Sequence, residues 1–348
     1  MSGDTETRRG ELTIKAAVTA LKAAAEPTRL RILLLLSHGE WNVKDLTLIL
    51  GQSQPRVSRH LRLLNEAGLV DRFREGSWVY FHLAGGSDHG RLCRHVVDAI
   101  NVDDPLFARD RERAESLKEE REAKAQAYFR EHAAEWDKIR TLHVAEGEVE
   151  AAMREALGAD PINLLIDLGT GTGRILELFS DRYARGLGID ANQAMLAYAR
   201  SKLRQGGLTR AQVRHGDLYD LSVGEKVADV VVMHQVLHFL ADPGRAIHEA
   251  ARALAPGGRL LIVDFAPHEL EFLRERFAHE RLGFSGSQIS QWLGETGLTL
   301  VQSRDLAPPT GSGSAKLTVT LWLAALEREA NAPVKAPIRT LESMRPLA

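Results

Sequence analysis

Gly169, Gly171 and Gly173 stand two residues apart, interleaved with Thr170 and Thr172, and an acid, Asp167, precedes them. A glycine turn of this kind lets the backbone lie directly against a ligand. About twenty positions on, the run Gly186 to Ile189 ends in Asp190, a carboxylate able to accept from both hydroxyls of a ribose. Asp217 follows His215 and Gly216, and His234 and His238 flank a short apolar stretch further on. Histidine is the side chain that exchanges a proton near neutral pH. A second group has a different chemistry. Ser53, Gln54, Arg56, Ser58, Arg59, His60 and Arg62 combine hydroxyls, an amide and cations, the types that reach phosphates and base edges.

Each group needs its own scaffold. The apolar run Leu164 to Leu168 reads as a buried parallel strand, and Ile175, Leu176, Leu178 and Phe179 read as the helix after the glycine turn. Further strands are expected at 186–189, 212–215, 227–233, 259–264, 298–303 and 317–324, the last two as an antiparallel edge pair. Strands alternating with helices predict a doubly wound sheet, whose ligands sit at the carboxyl ends of the strands. The basic group falls on a helix over 56–67 ended by Gly68, with Val57, Leu61 and Leu64 on its inner face. Helices over 12–25, from Pro27 and over 42–50 precede it. Leu69 to Leu83 alternates as a hairpin turning at Glu75 and Gly76, with Arg72 and Arg74 available to a DNA backbone.

The segment Gln52 to Val70 closely resembles the ArsR (arsenic-repressor-like) winged-helix repressors. The glycine turn, followed in order by Asp190, His215-Gly-Asp217-Leu218 and Ala255-Pro-Gly-Gly258, resembles the class I S-adenosylmethionine (AdoMet) methyltransferases. The first resemblance implies binding to double-stranded operator DNA and a homodimer formed by the helices over Leu12–Ala25 and Arg91–Ile100. The second implies that Asp167, Gly169, Thr170 and Gly171 flank the methionine end of AdoMet and that Asp190 holds its ribose. Ala191, Asn192 and Met195 would then lie beside the adenine. Asp217 would accept from the adenine amino group, and Leu218 would donate through its backbone. His234 and Gln235 would line the sulfonium end, and His234 and His238 are the candidate catalytic groups. Asp264, His268, Glu269, His279 and Glu280 are further candidates in an acceptor pocket.

Two departures narrow the reading. Where many ArsR relatives carry Cys-x-Cys-Asp-Leu, this chain has Asn42-Val-Lys44-Asp45-Leu46, so no soft-metal site can form there and no metal is expected. Asp88, His89, Cys93, His95 and Asp98 are ligand types, but their spacing is irregular. The Asn/Asp-Pro-Pro-Tyr pattern of amino methyltransferases is missing after the fourth strand, which favours a small-molecule acceptor.

The chain has 348 residues, a formal net charge of −2 and one cysteine. Overall charge therefore points to neither nucleic acid nor membrane, and a disulfide framework is excluded. No apolar run reaches membrane-spanning length, and a cytoplasmic protein is expected. The fold expected is multidomain: an N-terminal winged helix-turn-helix, mostly α with a β wing, plus a C-terminal α/β Rossmann-like doubly wound methyltransferase fold. The expected division is a winged helix over 1–102, a charged helical linker over 103–145, a methyltransferase-like domain over 146–327 and a disordered tail over 328–348. In the linker, Tyr128, Phe129, Trp136 and Ile139 form an aromatic and apolar stripe able to cover the AdoMet pocket. The functional expectation is a transcriptional regulator, a repressor, whose effector is AdoMet or S-adenosylhomocysteine (AdoHcy) and which controls methionine-cycle genes. The alternative is an active small-molecule methyltransferase with an autoregulatory DNA-binding domain.

Overall fold

A computed structural model describes residues 12–85, 87–137, 146–307 and 317–327. The expectation of a disordered tail over 328–348 and the position of Ile139 lie outside the described residues.

The N-terminal unit runs α1 (Ile14–Ala24), α2 (Pro27–Ser37), β1 (Trp41–Asn42), α3 (Val43–Leu50), α4 (Gln54–Glu66), β2 (Val70–Glu75), β3 (Trp78–Leu83) and α5 (Asp88–Asp98). Side chains of Thr13, Glu26, Asn42 and Ser87 accept first-turn N–H groups and so fix where α1, α2, α3 and α5 begin. Val57, Leu61 and Leu64 turn inward from α4 onto Ile32, Leu33 and Leu46, giving this unit its own core. The hairpin is as expected, but a third strand joins it: Trp41 and Asn42 pair with Phe81 and Tyr80. Two residues are too few to leave an alternating pattern in the sequence.

The C-terminal unit holds α7 (Glu146–Ala156), β4 (Ile162–Leu168), α8 (Arg174–Leu178), β5 (Tyr183–Asp190), α9 (Gln193–Gln205), β6 (Ala211–His215) and β7 (Ala228–His234). It continues with α10 (Pro243–Ala253), β8 (Leu254–Phe265), α11 (Phe272–Arg276), α12 (Gly286–Glu295), β9 (Leu298–Leu306) and β10 (Val319–Leu326). These make one seven-stranded sheet in the order β6-β5-β4-β7-β8-β10-β9. The first five strands are parallel; β10 inserts antiparallel between β8 and β9. Strand order reverses between β4 and β7, the crevice where a doubly wound sheet takes its ligand. Separate apolar clusters cover the two faces of the sheet.

The segment expected as a charged helical linker, 103–145, is helical among its described residues and makes contacts of its own. Helix α6 (Pro105–His132) is a single 28-residue helix packed on both units. Its Asp110 is buried and accepts from Arg31 of α2 at 2.5 and 2.6 Å. Its Arg121 pairs with Asp45 of α3 at 2.5 Å and with Glu280 of the C-terminal unit at 2.7 Å. Lys118 reaches Asp242 at 3.1 Å and lies over the Trp41 ring. High charge density hides this role in the sequence, because these charges are consumed by partners far away in the chain.

The hairpin tip is also anchored to the C-terminal unit. Glu75, buried, accepts from Arg281 Nε at 3.0 Å, from the Leu282 backbone N–H at 2.8 Å and from Arg274. Burial raises the Glu75 pKa, but Arg281, the Leu282 N–H and Arg274 outweigh it and hold the carboxyl below its ordinary range. Arg281 also bonds Glu40 at 2.8 Å and stacks on Tyr80, and Arg274 stacks on Trp78. At the turn itself, Gly76 has a left-handed φ of 56°, and a Cβ there would fall 2.2 Å from Glu271 Oε1. A side chain here would displace Glu271 and strain the turn.

Glu280 sits at the same junction. Burial pushes its carboxyl up to about 7, although Arg121 acts in the opposite direction. A raised folded-state pKa contributes stability below the unfolded value, lost as pH rises through the folded one. Glu280→Gln is therefore expected to stabilise the protein at pH 8 relative to wild type, by roughly 1 kcal/mol, with the gain vanishing near pH 4. Thermal melts at the two pH values check this; equal shifts at both would rule it out.

Candidate functional site

A cavity of about 230 Å³ opens at the carboxyl ends of β4, β5 and β7. Asp167, Gly169, Thr170, Gly171, Asp190, Ala191, Met195, Asp217, Leu218, His234 and Gln235 all line it. The glycine turn is held from both sides. Thr170 Oγ1 donates to Asp167 at 2.6 Å, and the Gly171 N–H donates to Asp190 at 2.8 Å. Gly169 needs its left-handed φ of 72°, and a Cβ there would lie 2.3 Å from Val236 Cγ2.

Asp190 closes β5 and accepts a second N–H, from Asn192, at 2.8 Å. Burial raises its pKa despite those two donors. A half-buried carboxylate with further lone pairs facing a cavity is suited to ribose hydroxyls, which would lower the cost of its charge. Asp217 is exposed at the rim, and its Oδ1 accepts from the Tyr219 N–H at 2.8 Å, so it caps its own turn as well as facing the cavity. Asn192 departs from expectation. Its Oδ1 caps α9 by accepting from Ala194 and Met195, its amide donates to Gln126 of α6, and it is not a lining residue.

Helix α6 supplies lining residues that the sequence reading missed, namely Glu122, Ala125 and Gln126. Phe129 and Trp136, from the predicted stripe, also line it, and the Trp136 ring lies 3.5 Å from where a Gly171 Cβ would be. The acid–glycine–acid framework, the aromatic wall and the absence of side chains at Gly169 and Gly171 together fit AdoMet. Asp190 would hold its ribose, and Asp167 with the Trp136 and Phe239 rings would face its cationic end. When bound, AdoMet supplies an activated methyl group.

A second, smaller chamber shares Trp136, Gln235 and Phe239 with the first. The two candidate histidines are divided between the cavities. His234 lines the larger one and His238 the smaller, where His238 Nδ1 lies 2.7 Å from Asp264 Oδ1. His279 also lines the smaller chamber. The other acceptor-pocket candidates do not converge. Glu269 is exposed, Glu280 faces Arg121, and His268 packs on Phe265 with its pKa pushed down to about 4 by burial.

On α4, Ser53, Gln54, Arg56, Ser58, Arg59 and Arg62 are exposed as expected. His60 is not: its ring turns toward Glu26 at 3.6 Å, and burial lowers its pKa. Its position on the border of the inner face, three residues after Val57, explains the lower exposure. Arg72 and Arg74 are exposed on the hairpin, with Arg74 Nε donating to the Gly76 carbonyl.

Residues 26–72 match the family model described as bacterial regulatory protein, arsR family, and residues 166–262 match the methyltransferase domain model. The chain joins an arsR-type regulator module to a methyltransferase domain. The arsR-type part is 48% identical over 68 residues to the arsenical resistance operon repressor of Escherichia coli K12, covering 19% of this chain and 58% of that protein. An uncharacterized 37.1 kDa protein in transposon TN4556 of Streptomyces fradiae is 31% identical over 198 residues, covering 52% of this chain and 56% of that protein. The chain thus spans somewhat over half the length of these two relatives. Among solved structures, the YcgJ protein of Bacillus subtilis aligns with a TM-score of 0.44 at 18% identity, covering 53% of this chain and 99% of that one.

The arsR family implies DNA binding, and the methyltransferase fold implies AdoMet binding. Within the arsR-type module, Asn42 and Lys44 stand where the thiolate pair of the metal-sensing pattern would be; Asn42 instead caps α3. Cys93 is buried in the module's core, and burial pushes its thiol up to about 11. Among the described residues no helix is long and apolar enough to cross a membrane.

Proposed function

We propose that this protein is a DNA-binding regulator, acting as a repressor, whose affinity for its operator is set by AdoMet or AdoHcy in the methyltransferase cavity. The observation that carries this reading is α6. One helix holds Arg31 and Asp45 of the arsR-type module through Asp110 and Arg121, and further along contributes Gln126 and Phe129 to the cavity wall. A ligand pressing on that wall acts on an element pinned to α2 and α3, the helices against which the DNA-reading α4 packs. Genes that consume AdoMet or clear AdoHcy are the targets that fit such an effector.

The module acts as a homodimer in this reading. Ile14, Val18 and Leu21 fall on one face of α1 at helical spacing and are 84%, 43% and 46% exposed. Val18→Glu is expected to give monomers in sedimentation velocity and to weaken operator binding at least tenfold. An unchanged dimer would rule out this face.

The decisive experiment titrates promoter DNA with full-length protein at fixed salt, without ligand, with AdoMet and with AdoHcy. Ligand acts only through differential affinity for two states, and a nearly complete switch needs about 5.5 kcal/mol of it. At least a tenfold change with one ligand is expected. Affinity unmoved by both would leave the active-methyltransferase reading, which the His238–Asp264 pair favours.

A further inference from the structure

We infer that the small chamber beside the cofactor cavity binds a neutral phenol and that His238 removes its hydroxyl proton. This goes beyond the regulator reading, and it rests on the AdoMet reading of the larger cavity only for the fate of the phenolate.

The first support is the orientation of His238. The ring is 2% exposed, and Nδ1 faces Asp264 Oδ1 at 2.7 Å. Asp264 is fully buried and also accepts from the Phe265 N–H at 2.8 Å and the His238 N–H at 3.3 Å. A carboxylate only accepts, so Nδ1 carries the hydrogen and Nε2 presents its lone pair. A histidine oriented by a buried carboxylate is the arrangement of a general base. Asp264 is then a positioning residue that also stabilises the imidazolium.

The walls define the ligand class. Beside Gln235 and the two histidines they are mainly the rings of Tyr128, Phe239, Phe265 and Phe277, and among the described residues no lysine, arginine, aspartate or glutamate lines the chamber. A charged acceptor would lose its hydration without a partner, whereas a flat neutral ring packs well. Among neutral hydroxyls a phenol, near pKa 10 as in tyrosine, is acidic enough to yield its proton to an imidazole. The chamber holds about 30 Å³ here, room for the hydroxyl end. Tyr128 and Phe277 are half-buried, so their rotation admits the ring without opening the core.

Backbone strain marks the same place. Gln235 and Ala278 adopt left-handed φ values of 51° and 56°, two of three such non-glycine residues among those described. Gln235 lines both cavities, and Ala278 precedes His279 of the chamber wall. Conformations of this kind persist where the surroundings impose them, and they gather at functional sites.

In the step, the phenol O–H bond breaks, its proton goes to Nε2 of His238, and the electron pair stays on oxygen. With a methylsulfonium donor in the adjoining cavity, that pair forms the O–CH3 bond as S–CH3 breaks, releasing a neutral thioether; His238 then returns its proton to water.

The test uses full-length protein and 4-nitrophenol, titrated with and without AdoHcy, reading heat and the nitrophenolate absorption band below neutral pH. Wild type should bind the probe saturably and raise the band above that of free probe, while benzoate should not bind. His238→Gln should still bind the probe but lose the increase in the band. With AdoMet and catechol, the same variant should lower methyl ether formation at least about 100-fold, with AdoMet affinity unchanged. Asp264→Asn, which keeps the side chain's size, should shift the acid limb of that rate. Protein that binds AdoHcy but no nitrophenol overturns the inference, as does an undiminished phenolate band in His238→Gln. Protein that binds nitrophenol but not AdoHcy overturns the cofactor reading instead and leaves the chamber standing.

Discussion

In the Glu75→Gln variant, DNA affinity is expected to stop responding to AdoMet or AdoHcy. Glu75 is the acceptor for two guanidinium groups and one backbone N–H, all from the methyltransferase domain. Removing one member of a buried ion pair costs about 3–5 kcal/mol, because the partner charge is left buried and uncompensated. Arg281 keeps Glu40, which reduces the loss, while Arg274 keeps the weaker contacts with Glu271 at 3.4 Å and the Glu280 carbonyl at 3.3 Å. The hairpin tip should then part from the 271–284 segment without unfolding either core. That segment also reaches the ligand side: the backbone N–H groups of Glu280 and Arg281 both donate to the His238 carbonyl. Two readouts check the outcome. Calorimetry should resolve two melting transitions further apart than in wild type. Anisotropy titrations should show a ligand effect on DNA affinity below about twofold, where wild type shows at least tenfold. A ligand response preserved in full would place the coupling in α6 alone.

The second large effect concerns Asp190. Asp190→Ala is expected to weaken AdoMet and AdoHcy binding at least 100-fold, equivalent to losing about 3 kcal/mol from two hydrogen bonds to a charged acceptor. Part of that loss comes from the protein itself, since the Gly171 and Asn192 N–H groups lose the carboxylate that holds the turn. Asp190→Asn keeps the shape and should recover part of the affinity. Burial raises the Asp190 pKa in the free protein, and ribose donors favour the ionised form, so wild-type affinity should fall as pH drops through that raised value. The alanine variant should show no such acid limb, and its unliganded DNA binding should match wild type. Isothermal titration across pH provides the comparison; a pH-independent wild-type affinity would argue against Asp190 as the ribose acceptor.

Much of the sheet and the glycine turn could be read from the chain because their signals are local. Leu164 to Leu168 is apolar but for Asp167, and Leu164 to Asp190 spans one strand–turn–helix–strand unit. The arsR-type helix was equally legible from Val57, Leu61 and Leu64. What escaped depends on pairings across the whole chain. Glu75 reads as an ordinary acid in a solvated turn until Arg274, 199 residues away, is seen beside it. Asp110 and Arg121 look like two charges among many on a solvated helix, yet both are consumed by the arsR-type module. The tilt of His60 toward Glu26 and the capping duty of Asn192 are likewise side-chain choices that helical periodicity does not determine.

Helix α6 has one further consequence, which concerns length rather than contact. From Asp110 to Phe129 it carries its two sets of contacts on a single rigid rod, rising ~1.5 Å and turning ~100° per residue. Inserting one residue between Asp110 and Arg121 would swing Gln126 and Phe129 about 100° away from the cavity. Four added residues would nearly restore the angle but displace the wall by ~6 Å along the axis, and seven would displace it by ~10.5 Å. Phase and reach cannot both be recovered by any insertion. The number of residues in this stretch is therefore fixed as firmly as the identity of any side chain on it, and its surface positions can vary freely only by substitution.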